Sequence, residues 1–95
     1  MQFLVINTRR TEGVDLEEFN AKVGGEVAKV KEFYANGFVR TIWHRGGETP
    51  GGVLVVEANN ESEVRERLST LPLVDAGIVE VSNVIPLKPF AGFTK

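Results

Sequence analysis

Glu26 is the one charged residue on the apolar face of the chain's longest predicted helix. At about 100° per residue, the apolar positions Leu16, Phe19, Val23, Val27, Val30, Phe33 and Tyr34 fall within an arc of roughly 120°. Glu26 lies inside that arc, whereas Glu17, Glu18, Lys22, Lys29, Lys31 and Glu32 project outside it, as a solvated face requires. A carboxylate turned toward a core must be paired, hydrogen-bonded or protonated, because desolvation raises its pKa. A carboxyl tuned in this way can take up and return protons near neutral pH, which makes Glu26 the candidate catalytic acid/base. The preceding Gly24 and Gly25 each weaken a helix interior by about 0.8–1 kcal/mol relative to alanine. Glycines beside a core-facing carboxylate leave room for a ligand or for a neighbouring backbone. The structural alternatives are a kink at the glycines, or a buried arginine paired with Glu26.

A second set of candidates lies close together at Arg40, Thr41, Trp43, His44 and Arg45. Strand alternation puts Phe38, Arg40, Ile42 and His44 on one face and Val39, Thr41, Trp43 and Arg45 on the other. Arg40 has the fork geometry to hold a carboxylate, either a substrate's or that of Glu26. Trp43 can wall an apolar pocket and offer one N–H donor, with core packing as the plainer explanation. His44 is the chain's single histidine, so a hydrogen-bonding role suits it better than a metal-ligand role. With no cysteine there is no thiolate site and no disulfide, and neither a metal nor a cofactor is expected. The glycine-rich stretch Gly46, Gly47, Gly51 and Gly52 does not open a helix, so it fails the context test for a phosphate loop and is expected to be a mobile hairpin connection. Ser62, Ser69 and Ser82 have no nucleophile-elbow setting.

The elements that must position these residues follow from the punctuation of the chain. Phe3 to Ile6 is a continuous apolar run and predicts a first strand. Asp15 is a good N-cap, with Glu18 as capping-box partner, and Asn36-Gly37 supplies the stop for the long helix. Phe38 to Arg45 and Val53 to Glu57 predict two strands joined as a hairpin. Asn60 and Glu63 can cap a second helix with apolar Val64, Leu68 and Leu71, which Pro72 is expected to end. Ile78 to Ile85 predicts a fourth strand. The order predicts an α+β, ferredoxin-like βαββαβ sandwich, with an antiparallel four-stranded sheet and two helices on one face.

Ninety-five residues support one domain with a modest core. Residues 1–87 are expected to form it, with 88–95 as an apolar tail against a neighbouring subunit. Strands one and three are apolar on successive residues, which indicates two covered sheet faces. Two helices cover one face, so the second is expected to pack on another copy of the chain, giving a homodimer or larger homo-oligomer. Eleven basic against thirteen acidic residues, a net charge of −2 and no basic run argue against nucleic acid. No stretch reaches membrane-spanning length, and Phe3 to Ile6 is too short for a signal peptide. The expected setting is cytoplasmic, with no membrane partner.

Glu26 and its following turns, then Gly37-Phe38-Val39-Arg40-Thr41-Ile42-Trp43, then Leu71-Pro72-Leu73, together resemble the muconolactone delta-isomerase family. The resemblance implies ferredoxin-like subunits that pair into a dimeric α+β barrel, and cofactor-free proton transfer within a small unsaturated lactone of aromatic catabolism. By matching position it gives Glu26 the acid/base role and puts Arg40 and Trp43 at matching sites on the strand; Thr41 and, in reserve for polar contact, His44 complete the expected substrate-binding set. Three departures stand out: Thr41 replaces a histidine of the family, Val27 a lysine after the glutamate, and the tail from Pro86 onward does not follow the family's pattern. Two other functions suit the same scaffold. One is a small-ligand-binding or assembly module in which Glu26 is structural, and the other is a cofactor-free monooxygenase-like enzyme.

Overall fold

The computed structural model describes residues 1–93, and Thr94 and Lys95 of the tail lie outside the described residues. Its elements run β1 (Gln2–Arg9), α1 (Leu16–Ala35), β2 (Val39–His44), β3 (Gly52–Glu57), α2 (Glu61–Leu68), α3 (Pro72–Asp75) and β4 (Val79–Leu87). The strands form one antiparallel sheet in the order β2-β3-β1-β4, which is the ferredoxin-like α+β arrangement expected from the order of elements.

Local chemistry explains the helix ends. The Asp15 side chain accepts from the Glu17 N–H, and Gly37 takes a left-handed φ of 88° just past the C-cap Asn36. The Asn60 side chain accepts from the Glu63 N–H while the Glu63 carboxylate accepts from Asn59 N–H, closing both ends of a capping exchange. Glu61–Arg65 and Glu63–Arg67 then pair along the exposed side of α2. Pro72 does not end α2, as its position suggested. That helix stops at Leu68, and Pro72 opens the short α3, where its missing N–H is no loss.

One face of the sheet carries the core. Phe3, Val5, Val39, Leu54, Val56 and Val84 pack there against Phe33, Val64, Leu68 and Leu71. Phe33 meets Phe38 edge-on, with ring centroids 4.9 Å apart. Only part of the expected apolar arc of α1 is covered: Leu16, Val27 and Tyr34 are exposed at 71%, 47% and 65%. The covered stripe is Phe19, Val23, Glu26, Val30 and Phe33, spaced four and three residues alternately. Such a stripe is narrower than the arc because the sheet below α1 touches only the centre of its face.

The other face is open. Leu4, Ile6, Val53 and Val55 are partly buried, and Trp43 and Ile85 are exposed at 68% and 41%. Beyond β4 the rings of Phe90 and Phe93 meet at a tilt of 45° with centroids 5.7 Å apart, and both stay exposed. Among the described residues no helix is long and apolar enough to cross a membrane.

Candidate active site

Glu26 enters the site from the middle of α1, and the helix passes Gly24 and Gly25 without interruption. No atom lies within 4 Å of the place a Cβ on Gly24 would take, and one on Gly25 would meet Pro72 Cγ at 3.5 Å. That is an ordinary contact, so packing requires neither glycine and no backbone crosses closely here; Pro72 belongs to the α3 corner. There the Glu26 Oε1 accepts a hydrogen bond of 3.0 Å from the Leu73 N–H. α3 has no side-chain cap of its own at Leu71, so a carboxylate from another helix satisfies one of its orphan donors.

Burial raises the Glu26 carboxyl above the ordinary carboxylate range, and the Leu73 N–H offsets part of that rise. The effect on stability has a definite sign. With the folded pKa above the unfolded one, the folded chain binds more protons in the interval between them, so stability falls as pH rises through that interval. The Glu26→Gln variant keeps an oxygen for Leu73 N–H and has no charge to desolvate. Its melting temperature is expected to gain on the wild type as pH rises from the unfolded carboxylate pKa through the raised folded one. Parallel Tm curves against pH for the two proteins would show that burial does not act on Glu26.

Glu26 lines an open cavity of about 570 Å³ between α1, the sheet and α3, a size suited to a small organic ligand. Phe19, Val23, Val27, Val30, Ile42, Leu54, Leu71 and Leu73 give it apolar walls, so a carboxylate there faces little competing polarity. Cations reach it at Arg9, Lys31 and Arg45. Arg9 is held over the Phe19 ring at 5.1 Å, and Arg45 donates to Thr8 Oγ1 at 3.0 Å and to the Asn7 carbonyl at 3.3 Å.

The strand candidates divide in a way that simple alternation does not predict. A β-bulge between Val39 and Thr41 makes Arg40 the extra residue. Val39 pairs with Val56 and Ile42 with Leu54, both on the helix face, whereas Thr41 pairs with Val55 on the open face. Val39 therefore shares a face with Ile42 and His44, not with Thr41 and Trp43. His44 lines the cavity and is exposed. Trp43 contributes to the rim, although its pairing with Val53 turns its Cβ to the open face.

Arg40 and Thr41 are not among the lining residues. Arg40 lies instead near Glu57. There the Met1 ammonium, by its hydrogen bond, is the main cause of a lowered carboxyl pKa, and Arg40 contributes a smaller charge effect. The glycine-rich loop is pinned at its returning end, where Arg9 N–H donates to the Pro50 carbonyl and Arg45 N–H to that of Gly51, both at 2.9 Å. Pro50, Gly51 and Gly52 line the cavity.

Sequence reasoning put Lys31, which lines the cavity, on the solvated side of α1, and it missed Asn7 and Arg9. Both share strand parity with Phe3 and Val5, and that parity was the available signal. Among the described residues no cluster of three or more metal-ligating side chains occurs.

Known proteins offer three comparisons. The sequence profile described as muconolactone delta-isomerase matches residues 1–91. A solved structure of muconolactone isomerase superposes with a TM-score of 0.77 at 18% identity, over 97% of this chain and 93% of that one. A second, the 5-chloro-2-hydroxyhydroquinone dehydrochlorinase of Burkholderia phenoliruptrix in complex with 2,5-dihydroxybenzoquinone, gives 0.75 at 19% identity, over 95% and 96%. At such identities the two structures share the fold with this chain. No curated protein sequence matches it.

Proposed function

Because this chain belongs to the muconolactone delta-isomerase family, we propose that it catalyses a cofactor-independent proton shift in a small unsaturated lactone, or in a related ring of aromatic catabolism. The observation that carries this reading is Glu26: a partly buried carboxyl with a raised pKa, in an apolar cavity of ligand size, with one oxygen tethered and the other without a hydrogen-bond partner among the described residues. In the proposed reaction Glu26 takes a proton from the carbon next to the conjugated system. The C–H electrons spread into a dienolate, and the same carboxyl returns the proton to the far carbon. Bonds and charges balance without an added reagent. Arg9 and Lys31, the lining cations not engaged as Arg45 is, take the anion-stabilising role first expected of Arg40. Trp43 and His44 complete the rim, and Thr41 is left outside it.

The test is proton NMR in D2O with butenolides, muconolactone and chlorinated hydroxyhydroquinones, comparing the wild type with Glu26→Gln. Deuterium incorporation beside the carbonyl by the wild type alone supports the proton shift. Loss of chloride without exchange points to elimination by the same base, and oxygen uptake to the monooxygenase-like alternative. A binding or assembly role is favoured by one specific observation, the hydrogen bond from Leu73 N–H to Glu26, which gives the carboxylate a structural purpose. Under that reading no ring of the panel exchanges.

The open sheet face, with Leu4, Ile6, Val53, Val55, Trp43 and Ile85, is the surface proposed to receive a second copy in a barrel-like dimer, with the Phe90 and Phe93 tail beside it. Sedimentation equilibrium is expected to give at least a dimer. A monomer at micromolar concentration would remove the self-association from the proposal.

A further inference from the structure

The cavity that holds Glu26 is unevenly charged. Arg9, Lys31 and Arg45 line it against a single carboxylate, a balance that suits an anionic ligand. Arg45 is engaged by the Asn7 carbonyl and the Thr8 hydroxyl, whereas neither Arg9 nor Arg10 has an ion-pair partner among the described residues. Arg9 ends β1 in the parity of Phe3 and Val5, and its guanidinium lies 5.1 Å from the centroid of the Phe19 ring. That contact occupies one face of the guanidinium and leaves its in-plane N–H groups free. Phe19 precedes Glu26 by seven residues on α1, a rise of about 10 Å, and helical side chains lean the same way, so the offset carries to their tips. A side pocket of about 180 Å³, lined by Arg9, Arg10, Thr11, Val14, Leu16 and Phe19, adjoins the cavity at that end, and Glu26 is not part of it. Burial and the Leu73 N–H set the Glu26 carboxyl, and no guanidinium acts on it. Base and free guanidinium therefore stand at opposite ends of one cavity.

We propose that the ligand of this chain is a ring with an extended arm ending in an oxyanion, the ring placed at Glu26 and the oxyanion at Arg9 and Arg10. A ring whose acid group is one methylene away is too short to meet both ends. The cavity, at about 570 Å³, lies in the range that takes a drug-sized molecule, which is more than a single small ring fills. Between the two ends the wall is the apolar stripe of Val23 and Phe19, which suits a hydrocarbon arm. No carboxylate lines the side pocket to compete for the tip of the arm. The guanidiniums carry only donors, so a carboxylate or phosphate tip is matched, an amine tip is repelled and an ester tip is held more weakly. Lys31, on the far side of Glu26, remains for charge that develops on the ring. This inference rests on the ligand-binding part of the proposed function and not on its chemistry.

The experiment is an NMR titration of the wild type, Arg9→Met, Arg10→Gln and Glu26→Gln with three butenolides: one with a carboxymethyl arm, one with a carboxypentyl arm, and the methyl ester of the latter. The wild type is expected to bind the long acid about 10- to 100-fold more tightly than the short acid or the ester, the usual range for hydrogen bonds to a charged group. Arg9→Met, whose flexible side chain still covers Phe19, is expected to abolish that preference, and Arg10→Gln to reduce it. Glu26→Gln is expected to keep it. Equal binding of the long acid and its ester, equal or tighter binding of the short acid, or binding of none would each overturn the proposal. So would an unchanged preference in Arg9→Met, or in Arg10→Gln where Arg9→Met fails to fold. The readout is independent of turnover, so a preference for the long acid without deuterium exchange sinks the isomerase reading alone, and exchange without preference sinks this one alone.

Discussion

Glu26→Gln is expected to lower kcat/KM by about 100- to 10,000-fold, the usual contribution of a positioned general acid/base. The substitution is selective because glutamine keeps a carbonyl oxygen for the Leu73 N–H, which in the native chain donates to Oε1 at 3.0 Å. α3 then stays in place, and Leu71 and Leu73 still wall the cavity. What is lost is the capacity to accept a proton from carbon. Glu26→Ala would lose that capacity and also orphan the Leu73 donor, so it would confuse chemistry with packing. The pH profile gives an independent reading of the same residue. A base must be ionised, and burial holds this carboxyl above the ordinary range, so wild-type kcat/KM should rise with pH through a midpoint higher than that of an exposed glutamate. Steady-state rates across the acid range are the measurement. Rates for Glu26→Gln within a few-fold of the wild type would remove the carboxylate from the mechanism.

Gly51→Ala is expected to lower stability by about 2–3 kcal/mol, or roughly 10–20 °C in Tm for a domain of this size. Gly51 has a φ of 153°, and a Cβ there would lie 2.0 Å from the Asn7 carbonyl oxygen and 2.8 Å from its carbon. Both obstacles are backbone of β1 and cannot rotate away. Relief requires the loop to lift, which breaks the bonds from Arg9 N–H to the Pro50 carbonyl and from Arg45 N–H to that of Gly51. Gly46→Ala is the control. A Cβ at Gly46 meets nothing within 4 Å, so the stability of that variant should stay within about 0.5 kcal/mol of the wild type. Thermal denaturation followed by circular dichroism separates the two, and equal melting would show that the loop end is not packed on β1. Because Pro50, Gly51 and Gly52 line the cavity, the same lift should weaken ligand binding in Gly51→Ala.

The order of elements was legible in the sequence because its signals are local. Asp15, Asn36-Gly37 and Asn60 act on amides or carbonyls a few residues away, and the helix stripe and strand runs are read from neighbouring positions. The inward placement of Glu26 was legible for the same reason, since one helical period defines it. The chain by itself therefore determined the fold class and the inward placement of one carboxylate.

Only the tertiary structure decided what that carboxylate meets. Its partner Leu73 lies 47 residues away, across two strands and a helix, and no periodicity in either segment encodes the contact. Pro72 could equally end one helix or begin another until α3 packed against Gly25 and settled the choice. Arg40 and Asn7 show the same division. A single bulge at Arg40 shifts the parity of β2 and separates Val39 from Thr41, whereas β1 runs on without an inserted residue and carries Asn7 into the cavity. Register depends on backbone pairing between distant strands, and inserting one residue reverses the face of every side chain beyond it.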